Sequence, residues 1–181
     1  HVEYWTHGTS ILKDDGNMAF MPFVNQNTSA GSLKNYSFSE TTCLVFSGAN
    51  STSTPIPAGN YVYAATPELD VEKVSALQVT FWGGVYQYVG EEYASGIVVG
   101  VMDDPADFAT FVPVDTVYVL ESQTFDRFTV SFDGYKGQGK YVAFASNFME
   151  KDNIFFVDDL TISVAPALKS LSNVTISKQR G

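Results

Sequence analysis

Short segments in which apolar and polar residues alternate recur through the middle of this sequence, and they restrict its fold more than any other feature. Every second residue is apolar in the segments that begin at Leu77, Ile97 and Phe128, and the segment from Val142 follows the same period. A period of two is typical of β-strands that bury one face. No stretch carries a convincing 3.6-residue period, so the sequence predicts strands without long helices.

Residues that favour turns separate these segments. They are Gly83-Gly84, Asp103-Asp104-Pro105, Asp133-Gly134 and Gly137-Gln138-Gly139. Strands at this spacing without intervening helices favour a sandwich or barrel over a parallel α/β sheet. We therefore predict an all-β fold, a jelly-roll β-sandwich of two antiparallel sheets with little helix.

The length of the chain, 181 residues, fits one domain. We predict a single β-sandwich domain over residues 1–164, in which residues 1–40 carry few recognisable strand patterns. The run Ala165-Pro166-Ala167 is typical of a linker, so residues 165–181 are predicted to be a linker and tail that can lead to a further domain. The strand-like segment 174–177 indicates a longer, multi-domain parent protein.

The charge balance argues against one class of partner. The chain carries 10 basic and 20 acidic residues, which gives a net charge of −10. A surface of this sign repels nucleic acid, so no nucleic-acid partner is expected. No segment approaches the roughly 20 apolar residues of a transmembrane helix, so the chain is not expected to span a membrane.

Motifs for catalysis are weak or missing in this sequence. The segment from Gly134 to Lys140 has the glycine spacing of a phosphate-binding loop, but Tyr141 follows where that loop needs Ser or Thr. The two histidines, His1 and His7, lie near the start of the sequence, so a histidine-based triad or a zinc site is not expected. No pair of acidic residues stands out as a glycosidase pair. We therefore expect no enzymatic activity.

One carboxylate, Asp158, stands out because it falls on an apolar face. In the segment 154–164 the other even-numbered residues are apolar, so a period of two directs Asp158 into the core. A buried carboxylate needs a cation or several hydrogen bonds to offset its desolvation. Two interpretations stay open. Asp158 binds calcium, with Asp14 and Asp15 as sources of further oxygen ligands, or it accepts hydrogen bonds from the backbone amides of a neighbouring loop.

A group of aromatic residues marks the place where we would first look for a bound ligand. Trp82, Tyr86, Tyr88 and Tyr93 surround the predicted Gly83-Gly84 turn and the loop that follows it. Exposed aromatic rings can stack on the apolar C–H face of a sugar. The alternative is that these rings only pack at the edge of a sheet.

Four motifs follow one another in an informative order. They are YVYAATPELD (61–70), VGVMDDP with TFVPV (99–105 and 110–114), YKGQGKYVAF (135–144) and FFVDDL (155–160). Together they resemble the cleaved-adhesin and choice-of-anchor-J families, which are relatives of MAM-like domains. The resemblance covers about residues 42–164.

This resemblance implies a galactose-binding-like or MAM-like jelly roll in an exported, multi-domain surface protein of bacteria. It also implies a structural Ca²⁺ ion, to which the closing aspartate, here Asp158, contributes. We therefore expect a non-catalytic adhesion or ligand-binding module, outside the cell or on its surface, whose partner is a host or microbial glycan or protein. The alternatives are a carbohydrate-binding module formerly attached to a glycoside hydrolase and a structural spacer domain.

Overall fold

The computed structural model describes residues 5–9, 23–26, 38–39, 42–47, 61–87, 95–120, 124–146 and 153–166, and these form ten β-strands. In chain order the strands are β1 (Thr6–Thr9), β2 (Phe23–Gln26), β3 (Thr42–Ser47), β4 (Val62–Ala65), β5 (Leu77–Gln87), β6 (Ser95–Met102), β7 (Val112–Val119), β8 (Phe125–Ser131), β9 (Tyr141–Ser146) and β10 (Asn153–Val164). Single turns of 3-10 helix occur at Val74–Ala76 and Phe108–Thr110. Within these described ranges, no helix has the length and apolar character needed to cross a membrane.

The ten strands form two antiparallel sheets of five strands each. Sheet A has the spatial order β1-β4-β9-β6-β7, and sheet B has the order β2-β3-β10-β5-β8. From β3 to β10 the strands mostly alternate between the two sheets, so the chain crosses repeatedly from one layer to the other. A double-sheet arrangement of this kind is a jelly roll. The predicted all-β sandwich is therefore confirmed.

The apolar residues of the alternating segments pack between the two sheets. In β5, Leu77, Val79 and Phe81 are buried, as the period of two predicts. The ring of Phe81 meets the ring of Phe144 from β9 edge to face, with 5.2 Å between the ring centroids. Both rings are fully buried, so this contact joins sheet B to sheet A at the centre of the core.

The predicted turn at Gly83-Gly84 is wrong, because both glycines lie inside strand β5. The pairing of β5 with β8 continues without interruption through Gly83 and Gly84. A Cβ atom on Gly83 would lie 2.8 Å from the ring of Phe128, and one on Gly84 would lie 2.6 Å from the ring of Phe125. The glycines therefore make room for aromatic rings on the two faces of the strand rather than reversing the chain.

Strand β10 contains a β-bulge next to Asp158. Asp158 is paired with Trp82 of β5, whereas the next pair along the ladder is Thr161 with Thr80. Strand β10 thus has one more residue than β5 over this interval. Asp159 adopts a left-handed backbone conformation with φ of 47°, which aspartate tolerates better than most residues.

The bulge reverses the alternation of side chains along β10. Before it, the odd-numbered Phe155 and Val157 belong to the core between the sheets. After it, the even-numbered Leu160 and Ile162 pack against that core. The prediction that Asp158 points into the core is therefore wrong, because it assumed one unbroken period of two. Asp158 lies on the outer side of sheet B.

Candidate functional site

The outer side of sheet B carries a groove with a volume of about 620 Å³, which we call the polar groove. It is lined by Gln78, Thr80 and Trp82 of β5, by Arg127 of β8, and by Asp159, Leu160, Thr161 and Ser163 of β10. Small-molecule sites in proteins are clefts of about 300–1,000 Å³. The polar groove is thus large enough to hold a ligand.

The register of three neighbouring strands arranges the polar side chains of the groove in rows. Thr80 pairs with Thr161 of β10 on one side and with Thr129 of β8 on the other. The Oγ1 atoms of Thr80 and Thr129 are 3.1 Å apart, at hydrogen-bond distance. In the next row, Nε2 of Gln78 donates to Oγ of Ser163 at 3.5 Å. Hydroxyl and amide groups therefore run across the floor of the groove.

Two opposite charges flank these rows. Arg127 is exposed, lies opposite Trp82 in the ladder, and forms no ion pair with another described residue. Asp159, on the other side of β5, is also exposed and accepts a hydrogen bond from Oγ of Ser39. The groove therefore offers one cation and one anion to a ligand.

An aromatic pair closes one end of the groove. The rings of Phe38 and Trp82 are stacked, with centroids 3.8 Å apart and an interplanar angle of 13°. Phe38 is 44% exposed, whereas Trp82 is half-buried. The ring of Phe125 lies 5.9 Å from that of Phe38 and extends the aromatic surface along the sheet. The stack therefore covers one face of the indole and presents the Phe38 ring to solvent.

Asp158 holds the segment that carries Phe38. Its Oδ2 atom accepts hydrogen bonds from the backbone N–H groups of Phe38 at 2.8 Å and of Ser39 at 3.1 Å. Its Oδ1 atom accepts one from the N–H group of Asp159 at 2.8 Å. With 8% exposure, the carboxylate is buried between the bulge and this segment. These contacts agree with the hydrogen-bonding interpretation of Asp158, and its calcium interpretation stays a prediction.

The aromatic residues selected from the sequence do not form one cluster in the described residues. Trp82 lines the groove, whereas Tyr86 lies four residues along the same strand, about 13 Å away, and packs near Cys43 and Phe156. Tyr88 and Tyr93 lie outside the described residues, as do the predicted calcium ligands Asp14 and Asp15. The expected grouping around a turn is wrong for Trp82 and Tyr86, because the strand continues between them.

Several residues of the groove were not selected from the sequence. Among them are Gln78, Arg127 and Thr161, and Phe38 beside the groove was not selected either. The alternating pattern does place polar residues at the outward positions of β5, β8 and the second half of β10. It does not reveal that these three strands are neighbours in one sheet, which is what assembles the groove.

Part of the outer face of sheet A is covered by the chain itself. The segment after β6 folds back over it, so that Phe108 stacks on Tyr61 with 3.3 Å between ring centroids. The hydroxyl of Tyr63 donates to the carbonyl oxygen of Pro105 at 3.0 Å. Burial raises the pKa of the Tyr63 phenol above its ordinary value, and Tyr61 and nearby carboxylates add to this effect. These contacts bury the outward side chains at the centre of sheet A.

The fold is a jelly-roll β-sandwich of the kind seen in cleaved adhesin domains. Its sequence matches no family model and no curated protein. In structure it is similar to the K1 cleaved adhesin domain of Lys-gingipain from Porphyromonas gingivalis W83, with 15% identity over 91% of this chain and 92% of that domain and a TM-score of 0.61. It is also similar to the K3 cleaved adhesin domain of the same Lys-gingipain, with 18% identity over 89% of this chain and 92% of that domain and a TM-score of 0.60.

A carbohydrate-binding module shares the same architecture. TmCBM61, solved in complex with β-1,4-galactotriose, is 11% identical to this chain, with 91% of this chain and 90% of that module covered and a TM-score of 0.52. At such low identities these similarities establish the fold alone.

Proposed function

We propose that the chain is a non-catalytic binding module that uses the polar groove to hold its ligand. The observation that carries this proposal is the groove itself, where side chains of three neighbouring strands present hydroxyl, amide and charged groups to solvent. Sites for ligands typically combine a concave surface with a few convergent polar groups. The single carboxylate among its lining residues, Asp159, supports binding rather than glycoside hydrolysis, which uses two carboxylates.

The setting in this proposal is the surface of a bacterial cell or the medium outside it, within an exported, multi-domain protein. The ordered motifs that resemble cleaved-adhesin and choice-of-anchor-J domains support this setting. The shared architecture of adhesin domains and of a galactotriose-binding module supports it at the level of the fold. The partner is then a glycan or a protein, and a structural spacer domain is the alternative in which the groove has no ligand.

The test of this function is a binding screen with a variant that fills the groove. We expect the labelled chain to bind saturably to at least one member of an array of glycans or extracellular proteins. Thr161→Tyr is expected to weaken that binding at least tenfold. The phenol ring replaces a small exposed side chain on the groove floor and fills part of the groove. Thr116→Tyr, on β7 of the other sheet, is the matched control. Absence of binding throughout the screen would favour the spacer.

Calcium is a separable part of the proposal. The described contacts of Asp158 use three N–H donors, which leaves about one of roughly four lone-pair positions for a cation. No group of three or more His, Cys, Asp or Glu residues that could hold a metal occurs among the described residues. Calcium takes 6–8 oxygen ligands, so the remaining ligands would have to include backbone oxygens or residues such as Asp14 and Asp15.

We expect the melting temperature to fall by several degrees when a calcium chelator is added, because an ion that binds only the folded state stabilises it. The measurement is a thermal melt with and without chelator, paired with metal analysis of the purified chain. Unchanged melting together with a metal-free chain would refute calcium at Asp158 and leave the binding proposal intact.

A further inference from the structure

We infer that the ligand of the polar groove is an uncharged oligosaccharide that lies across β8, β5 and β10 with one sugar ring against the Phe38–Trp82 stack. This inference rests on the proposed function and names the class of ligand. It is carried by the charge of the groove, by its hydrogen-bonding groups, by its position in the sheet and by its aromatic end.

The charges of the groove favour a neutral ligand. Arg127 and Asp159 lie on opposite sides of β5, so their charges cancel within the groove. The whole chain carries a net charge of −10, which repels an extended polyanion over a long range. A polycation would be repelled by the guanidinium of Arg127, for which it offers no anionic partner. An uncharged ligand with many hydroxyl groups avoids both kinds of charge repulsion and can hydrogen-bond to Arg127 and to Asp159.

The hydrogen-bonding groups of the floor match a partner that both donates and accepts. The hydroxyls of Thr80, Thr161 and Ser163 and the amide of Gln78 each have both capacities. Two of them are already held by neighbours, Thr80 by Thr129 and Gln78 by Ser163. Their positions are therefore partly fixed before a ligand arrives, which lowers the entropic cost of binding. Sugar hydroxyls are partners of this dual kind, whereas a phosphate or carboxylate group only accepts.

The position of the groove disfavours an extended peptide. Peptides that bind β-sheets usually add a strand at an edge, where backbone groups are free. The floor strand β5 is central, since it is paired with β10 on one side and with β8 on the other. The groove therefore offers side chains rather than an unpaired backbone.

The aromatic end provides the remaining feature of a sugar site. Two hydrogen bonds to Asp158 and the stacked indole fix Phe38 in a position where 44% of its surface is exposed. An aromatic face next to a row of hydroxyls matches a pyranose, which has an apolar C–H face and a polar rim. The fixed segment 38–39 thus places an exposed aromatic ring beside Trp82, the residue at one end of the groove.

The experiment is affinity electrophoresis of the full chain in gels that contain one polysaccharide each. The neutral probes are β-1,4-galactan, xylan, mannan and β-glucan, and the anionic probes are polygalacturonate and alginate. We expect retardation by at least one neutral probe and by neither anionic probe. The affinity for the neutral probe is expected to be insensitive to added salt, because no net charge is neutralised on binding.

Two substitutions connect this binding to the groove. Arg127→Gln and Asp159→Asn are each expected to weaken the binding at least tenfold, and Lys136→Gln, in the exposed loop before β9, is the matched control. Asparagine also tolerates the left-handed conformation of residue 159, so the fold is retained, and circular dichroism and melting curves check this.

Four results would overturn the inference. Retardation only by the anionic probes, binding only to proteins in the array described above, or neutral binding that both substitutions leave unchanged would each do so. In the first two cases the proposed binding function survives with a different ligand, and in the third the ligand lies elsewhere. A chain that binds no polysaccharide and no protein would overturn the inference and the proposed function together.

Discussion

Replacing Phe144 by alanine is expected to lower the free energy of unfolding by about 3–5 kcal/mol, the range for removing a buried aromatic side chain. The ring is fully buried at the centre of sheet A. Its ring contacts the ring of Phe81, from the opposite sheet, in an edge-to-face arrangement. The ring of Trp5, the residue before β1, is stacked on it with 6.1 Å between ring centroids. A cavity at this position therefore weakens the contact between both layers. Denaturation in urea measures the change.

Two further variants define what this result means. Phe144→Leu keeps most of the volume and is expected to cost less than the alanine variant. Leu120→Ala removes a side chain that is 73% exposed, and it is expected to change stability by no more than about 0.5 kcal/mol. A loss below about 1 kcal/mol for Phe144→Ala would contradict a core centred on this ring.

Replacing Asp158 by alanine is expected to lower the free energy of unfolding by about 3 kcal/mol, because hydrogen bonds to a charged group contribute about 1.5–3 kcal/mol each. The substitution leaves the N–H groups of Phe38, Ser39 and Asp159 without their acceptor. Water can reach some of these groups after the change, which keeps the loss below the sum of three such bonds. The same urea denaturation, carried out in chelator, measures the hydrogen bonds without any contribution from a metal.

This variant also has a local consequence that can be observed. Without its two hydrogen bonds to Asp158, the 38–39 segment no longer holds the Phe38 ring on Trp82, so tryptophan fluorescence is expected to shift towards that of an exposed indole. Asp133→Asn, an exposed carboxylate in the turn after β8, is the matched control, since it leaves every contact of the 38–39 segment in place. A fluorescence spectrum that Asp158→Ala leaves unchanged would contradict the role of Asp158 in holding this stack.

The class of fold could be predicted from the sequence because the period of two is a local property. In β5, Leu77, Val79 and Phe81 alternate with residues on the outer face, and the structure buries all three. Gly83 and Gly84 could not be interpreted in the same way. Two adjacent glycines are typical of a turn, and only the rings of Phe125 and Phe128, from a strand about 40 residues later, explain why a strand needs them here.

The candidate site was predicted less completely, for two physical reasons. The bulge at Asp159 reverses the alternation, so Asp158 was assigned to the core when it lies on the outer face. Strand pairing is also a long-range property, so Arg127 and Thr161 could not be recognised as neighbours of Trp82. What the sequence did identify is that Asp158 needs partners and that Trp82 belongs to the outward positions of its strand.

The place of β10 between β3 and β5 has a consequence for how the chain reaches its folded state. Sheet B has the order β2-β3-β10-β5-β8, so the last described strand is the one that joins the two halves of the sheet. Contacts between strands so distant along the chain form slowly. During synthesis, the edges of β3 and β5 that pair with β10 therefore stay unpaired until Asn153–Val164 has been made. Sheet B is completed only after translation has passed β10, and a chain truncated before β10 exposes two sheet edges to aggregation.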